Sequence, residues 1–508
     1  MKRLFALLLI VCLLSGCGEE GAYIPTGGGF QDGVTPPSQA QTQTTSPLRL
    51  SYNRNGSLHP YTATDLNNRS LLSLIYQGLF SLDKGYQPTP ILCKSYKVSS
   101  DMKEWTFYLE NATFSDGSAL TVQDAVASLQ AAKESLYYGG RFFHITEIAE
   151  SEDGGVLVRT DTPFENLPLL LDIPIIRQSQ LENMRPVGTG PYYLDESAEI
   201  ARLRRVQNWW CKASMVITAP SITLLEAESN NQIRDNFQFG GVDVVCADPG
   251  SDRFADYRCD YELWSCENAM FLYLACSADS EVFDNQALRA ALTFAIDRDR
   301  LASEYYRGYA QGVSLPTSPQ SPYYNQSLAA KYSYDSVRFA TVVQEQNMVG
   351  KEVVLLVNSG DSLRLRVAQA IADMMTEGGL KVTLSKLSGS KYTYAVQTRQ
   401  YDLYLGQTIL SPNMDLSAFF HTYGALSYGG INNVTAYSLC LESLANYGNY
   451  YTLYKYIMEN GLLCPVLMRS YAVFATRGIV TDLAPARDNV FYYNLGKTME
   501  QALLREED

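Results

Sequence analysis

Hydrophobic positions in this chain alternate between two periods. PLRLSYN (47–53) places apolar residues with strand spacing. In LNNRSLLSLIYQGLF, Leu71, Leu74, Ile75 and Leu79 recur with helical spacing, and WTFYLENATFSDG then reads as a strand followed by a turn. Thr121-Val122-Gln123-Asp124 has the form of a capping box opening a helix whose apolar face carries Val122, Val126 and Leu129. Asp284 or Asn285 is positioned to cap another helix through LRAALTFAIDRDRL, with Leu288, Leu292 and Ala295 on one stripe. The clearest unit spans 351–385. KEVVLLVN is a buried-type strand, Leu363, Val367, Ala370 and Met374 mark an amphipathic helix, Gly378-Gly379 ends it, and LKVTLS is a second strand. A strand–helix–strand unit this compact requires a right-handed crossover in a parallel or mixed sheet. The chain is therefore expected to be α/β. At 508 residues it should have at least two lobes.

The amino terminus follows a different pattern. Lys2 and Arg3 precede the apolar run Leu4–Leu14, which is shorter than the roughly 20 residues a bilayer-spanning helix needs. Residues 1–16 read as a secretory signal. Leu14-Ser15-Gly16-Cys17 looks like a lipobox, which makes Cys17 the expected lipid-attachment residue, with acyl chains in place of a transmembrane helix. The alternative is an ordinary signal peptide with an incidental cysteine. Residues 17–46, rich in Gly, Pro, Gln, Thr and Ser, read as a flexible tether.

Composition narrows the function. A hydrophobic share of 46% with 19% charged residues describes a globular chain, and a net charge of −14 argues against a nucleic-acid partner. Tyrosine is abundant, at 36 residues against 19 Phe and 4 Trp, and suits a cleft that offers an apolar body with a hydroxyl handle. Eight cysteines remain after Cys12 and Cys17. They form no C-x-x-C pair and no zinc spacing, so free or partly paired structural cysteines are expected, and no metal or cofactor. The three histidines are His59, His144 and His421. There is no H-E-x-x-H and no G-x-S-x-G, and GKT at 496–498 lacks the earlier glycine of a phosphate loop.

Longer stretches resemble the peptide-type extracellular solute-binding proteins, family 5, which serve ABC importers of oligopeptides, dipeptides and nickel. Residues 58–129 follow that family's amino-terminal signature: Leu-x-Pro, a helix ending Tyr-x-Gly-Leu, Pro-x-Leu, then Phe-Ser-Asp-Gly and a capped helix. VGTGPYYLDE (187–196) with NWW (208–210), LRAALTFAIDRDRL (288–301), YDLYLGQ (401–407) and CPVLMRSYAVFATRGIVTD follow in the family's order. The resemblance implies a two-lobe clamp of the periplasmic-binding-protein type II, with two crossover segments. Lobe 1 would combine 47–58, 187–268 and 469–508, an inserted subdomain would cover 59–186, and lobe 2 would cover 269–468. It also implies a non-enzymatic monomer that captures a small solute, expected to be an oligopeptide, and delivers it to an ABC permease and ATPase. Its location would be the outer face of the cytoplasmic membrane or the periplasmic side.

One departure bears on the ligand. Peptide binders of this family usually carry a Trp and then an amine-pairing Asp after Tyr-Asp-Leu. Here the segment reads GQTILSPNMDLSAFF, and Asp415 is its first acid. An unpaired ammonium in a closed cleft is costly, so the ligand either lacks a free amine or meets Asp415 or another carboxylate. The candidate ligand residues are Gln407, Thr408, Ser411 and Asp415 on lobe 2, and Asn53, Arg54 and Asn55 on lobe 1. The alternative for each is a solvated loop residue. A nickel chelate on His421 is a minor reading, and a sensory or adhesive lipoprotein or an extracellular hydrolase are rival functions.

Overall fold

The strand Glu352–Asn358, the helix Ser362–Glu377 and the strand Lys381–Leu387 form the crossover that the hydrophobic periodicity requires, with the two strands parallel. Asp361 caps the helix by accepting from the Arg364 amide, and Gly379, at φ +105°, carries the chain out of it. This computed structural model describes residues 48–211, 219–250, 257–479, 483, 485–487 and 489–491. The signal at 1–16, Cys17, the tether at 17–46 and positions 492–508 lie outside the described residues.

One mixed sheet runs through the molecule. From edge to edge its strands are Lys381–Leu387, Glu352–Asn358, Leu403–Ile409, Tyr261–Cys276, Cys464–Thr476, Val244–Ala247, Arg49–Tyr52, Ser221–Glu226, Arg202–Arg205 and Tyr192–Asp195. Ala310–Gly312 pairs off this path with Cys464–Thr476. The two long strands at its centre are antiparallel. Their register runs from Tyr261↔Thr476 to Glu267↔Ser470, shifts, and resumes at Phe271↔Met468. Ala269 sits in this bulge at φ +57°, a left-handed conformation unusual for a non-glycine residue. Core side chains divide around the same point. One cluster packs Leu50, Leu203, Leu224 and Cys266 with the helix Leu66–Ile75, and another packs Leu272, Leu355, Val367 and Val466. The segment 59–186 adds its own antiparallel sheet, in the order Cys93–Val98, Glu104–Leu109, Val156–Thr160, Ile145–Glu150. The helix Val122–Ala132 beside it carries the expected capping box, with Thr121 and Asp124 bonding reciprocally.

Two helices differ from the periodicity. The first ends at Ile75 instead of continuing to Leu79, because Tyr76 turns extended and the Gly190 amide donates to the Ile75 carbonyl (2.9 Å). Leu79 is still buried, but from a loop. The helix expected through 288–301 is two helices, Gln286–Ala295 and Arg298–Tyr306, broken at an extended Ile296. Asn285 caps the first and Asp297 the second. The break turns Arg298 inward, where its guanidinium donates to the carbonyls of Thr293 (2.9 Å), Val313 (2.9 Å) and Pro465 (2.8 Å). Cys93, Cys211, Cys259, Cys276, Cys440 and Cys464 are free thiols.

The Gly-Thr-Gly element has a steric purpose. A Cβ on Gly188 would lie 2.0 Å from the Ile75 carbonyl oxygen, and one on Gly190 would lie 2.6 Å from the same group. Both glycines let this loop press on the helix end. Gly188→Ala should therefore cost about 1–3 kcal/mol by overpacking. Gly140→Ala, with nothing within 4 Å of its Cβ, should leave the midpoint of thermal unfolding unchanged.

Candidate ligand cleft along the seam

The segments on either side of the central bulge meet along a polar seam. Arg469, on the second long strand, donates from Nη2 to both carboxylate oxygens of Asp248 (2.8 and 2.9 Å) and from Nη1 to Oε1 of Gln407 (3.3 Å). Its guanidinium lies 5.5 Å from the Tyr306 ring centroid. Burial works against this charge, but the facing Asp248 carboxylate more than offsets it and the Arg469 pKa is raised. Gly250 leaves room for the pair, since a Cβ there would meet Nη2 at 2.3 Å.

A second cluster sits at the bulge itself. The Glu267 carboxylate is buried, accepts from the Tyr86 hydroxyl, and accepts from Ser318 Oγ at 2.7 Å. Burial pushes its carboxyl above the usual range, against the opposing pull of those two hydrogen bonds and of Arg487. Arg487 Nη2 donates to the Leu410 carbonyl (3.4 Å). Three separated stretches of chain, carrying Tyr86, Ser318 and Arg487, thus converge on this buried acid. Beside them is a cavity of about 110 Å³, lined by Arg69, Gln77, Leu82 and Arg487 among others.

A second cavity, of about 230 Å³, opens at the carboxyl ends of the parallel strands Glu352–Asn358 and Leu403–Ile409. This is the edge where ligands bind in open α/β sheets. Tyr273, Tyr392, Tyr404 and Tyr428 wall it, with Arg364 and Gln407. Gly406 lies opposite Tyr273 across the strand pair, and a Cβ there would meet the Tyr273 ring at 2.4 Å.

The expected ligand residues are divided by this geometry. Gln407 lines the larger cavity and holds Arg469. Thr408 follows it on the strand, paired with Phe271. Ser411 donates to Asn413 Oδ1 (2.7 Å), which also accepts from the Asp415 amide (3.3 Å), so these residues form one turn. Asp415 faces 59–186. Its Oδ1 accepts from the Ser417 amide and hydroxyl, and its Oδ2 lies 3.5 Å from His144 Nε2. Asn53 donates to Asp65 (3.1 Å), Arg54 pairs with Glu226 (2.8 Å), and Asn55 donates to Glu228 (2.6 Å). No hydrogen bond joins 53–55 to 407–415 among the described residues. Arg364, Arg469, Asp248 and Glu267 were not legible as site residues. Each sits in an unremarkable local pattern, and only pairing across the sheet assembles them. His421 packs on Phe143 and Tyr437 (ring centroids 5.8 and 4.9 Å), and no group of metal-ligating side chains occurs among the described residues.

Fold and seam together define a two-part α/β solute-binding clamp. The chain matches the profile of the bacterial extracellular solute-binding proteins, family 5, over residues 87–429, and it belongs to that family. It is 26% identical over 358 residues to the glutathione-binding protein GsiB of Escherichia coli O1:K1, covering 67% of this chain and 69% of that one. The crystal structure of the ABC transporter substrate-binding protein CtaP from Listeria monocytogenes is similar at a TM-score of 0.70 with 16% identity, over 89% of this chain and 98% of that one. The oligopeptide-binding protein AppA from Bacillus subtilis, solved with a nonapeptide, is similar at a TM-score of 0.61 with 17% identity, over 89% and 99%. The protein is thus an extracellular solute-binding protein and not an enzyme. No described helix is long and apolar enough to cross a membrane.

Asp248→Ala should destabilise the protein by about 2 kcal/mol, because it leaves the Arg469 charge buried with only Gln407 as a hydrogen-bond acceptor. Gln407→Ala should cost about 1 kcal/mol or less, since one neutral acceptor is lost. Chemical denaturation midpoints of the two variants distinguish these outcomes.

Proposed function

We propose that the chain is an extracytoplasmic lipoprotein, anchored through Cys17, that captures a short peptide as a monomer by closing two lobes and hands it to an ABC permease and ATPase. The lobes we assign are 47–58, 187–268 and 469–508 against 269–468, with 59–186 as a subdomain riding on the first. The observation that carries this reading is the bulge. The register shift at Glu267/Phe271 and the left-handed Ala269 interrupt the two long strands where the proposed boundaries fall. A hinge needs a few residues that absorb backbone rotation while the elements on either side stay rigid.

Closure supports capture physically. It removes water from the seam, where hydrogen bonds to ligand then act in a lower dielectric. The subdomain 59–186 also reaches the other lobe. His144 sits between Asp161 (2.8 Å) and Asp415 (3.5 Å), Glu165 accepts from the Tyr447 amide (2.5 Å), and the Tyr447 hydroxyl donates to the Asn166 carbonyl (3.2 Å). We read this contact as a clasp that holds the closed form. A peptide ligand is favoured by the GsiB relative, whose named ligand, glutathione, is itself a tripeptide. A nickel chelate is disfavoured by the aromatic packing around His421.

Thermal unfolding screened against peptides, amino acids, sugars and nickel chelates tests the reading. A ligand at about a hundred times its dissociation constant should add roughly 2.7 kcal/mol. Stabilisation by short peptides is the expected result; stabilisation by sugars or chelates alone would replace the substrate and keep the fold. Asp415→Ala should speed ligand release several-fold in stopped-flow measurements and leave the association rate nearly unchanged, because it loosens the clasp without touching the cavity. Loss of binding altogether would place Asp415 on the ligand instead.

A further inference from the structure

The contact between the subdomain 59–186 and the segment 413–450 is built around one histidine. The His144 side chain is 1% exposed and that of Asp415 is 10% exposed. His144 Nδ1 lies 2.8 Å from Asp161 Oδ1, whereas Nε2 lies 3.5 Å from Asp415 Oδ2 and makes no hydrogen bond. One imidazole thus stands between two carboxylates that come from opposite sides of the contact. Phe143, Phe164 and Tyr437 enclose it, with ring centroids 4.8, 6.1 and 6.5 Å away. Asp161 is half exposed, which gives the cluster a route for protons to solvent.

The other ionisable groups around this histidine are engaged elsewhere. Arg141 pairs with Asp172, Lys103 donates to the Asp161 carbonyl (2.9 Å), and Glu165 accepts from the Tyr447 amide. His421 Nδ1 accepts from the Tyr423 amide (3.2 Å). Burial, reinforced by the Asp415 charge, raises the Tyr437 phenol and the Cys440 thiol, and burial also raises the Tyr450 and Tyr454 phenols, so all four stay protonated. The charge balance of the contact therefore rests on His144 and its two carboxylates. A neutral imidazole carries one N–H and one lone pair. With the proton on Nδ1, the Nε2 lone pair faces Asp415; with the proton on Nε2, the Nδ1 lone pair faces Asp161 at 2.8 Å. Either tautomer sets acceptor against acceptor in a site closed to water, whereas the imidazolium directs an N–H at each carboxylate. We propose that His144 is a proton-operated latch: the clasp closes on the imidazolium and loosens when the proton leaves. The proposal rests on the clamp reading and adds its regulation. The sign follows from the proton count. The closed clasp holds a proton that the open one has no use for, so acid favours closure. That contribution is lost as the pH rises through the range in which histidine exchanges its charge, about 5 to 8.

Hydrogen exchange of the ligand-free chain, corrected for the intrinsic pH dependence of exchange, reads the latch directly. Segments 413–421 and 444–450 should exchange about three- to tenfold more slowly near pH 5 than near pH 8, since one linked proton changes an equilibrium by at most about tenfold per pH unit. The crossover at 351–385 should show no such difference. His144→Gln should abolish the pH dependence, and His421→Gln should leave it in place. Asp415→Asn keeps an acceptor for Ser417 and offers Nε2 an N–H, so it should hold the clasp protected near pH 8 and remove the gain near pH 5. Because the chain has three histidines, nitrogen-15 spectra of labelled histidine give the charge of His144 itself, with both ring nitrogens protonated in the clasped form. Melting curves establish that each variant is folded. Protection indifferent to pH, protection greater near pH 8, or an unchanged dependence in His144→Gln would each overturn the latch. If short peptides bind and protection ignores pH, the clamp reading stands and the latch fails. If protection follows pH as described and no peptide binds, the latch stands and the peptide reading fails.

Discussion

The pairing of two long antiparallel strands, Tyr261–Cys276 with Cys464–Thr476, is the constraint from which the rest of the architecture follows. Each strand runs the length of the junction, so the two halves of one continuous sheet meet through this pair. A ladder of this length would be rigid if its register were unbroken. The shift at Glu267/Phe271 removes hydrogen bonds at one place and concentrates bending there. Tyr86, Ser318 and Glu267 then fill the gap with buried hydrogen bonds, which keeps the weakened point from exposing unpaired polar groups.

The seam follows the same economy. Arg469 is among the most buried of the ion-paired cations, and its charge is tolerated because Asp248 meets it with two hydrogen bonds. Gln407 joins this pair to the larger cavity, so one side chain touches both the buried ion pair and the cavity. A group in the cavity that draws on Gln407 acts on the same network that holds the two parts together.

Local structure was legible wherever the determinants are local. The capping box at Thr121, the caps at Asn285 and Asp361, and the crossover at 351–385 depend on residues within a few positions of one another. The two misread helices have distant causes. The first stops because Gly190 claims the Ile75 carbonyl, and the 286–306 segment breaks so that Arg298 can reach Pro465, far along the chain. The candidate site divided in the same way. Gln407 lay on a recognisable strand, whereas Arg364 looked like any solvent-facing arginine in the first turn of an amphipathic helix.

By itself the sequence determined the alternation of strands and helices, the family signature and the presence of a leader-like amino terminus, because each is written in short-range spacing and residue type. Only the tertiary structure decided which carboxylate meets Arg469, that Asp415 turns toward His144, and that Tyr273, Tyr404 and Gln407 line one cavity. Those outcomes depend on strand order and register, which bring together residues far apart in the chain, 221 positions in the Asp248–Arg469 pair. A local pattern places a charge on an element; long-range pairing alone selects what faces it.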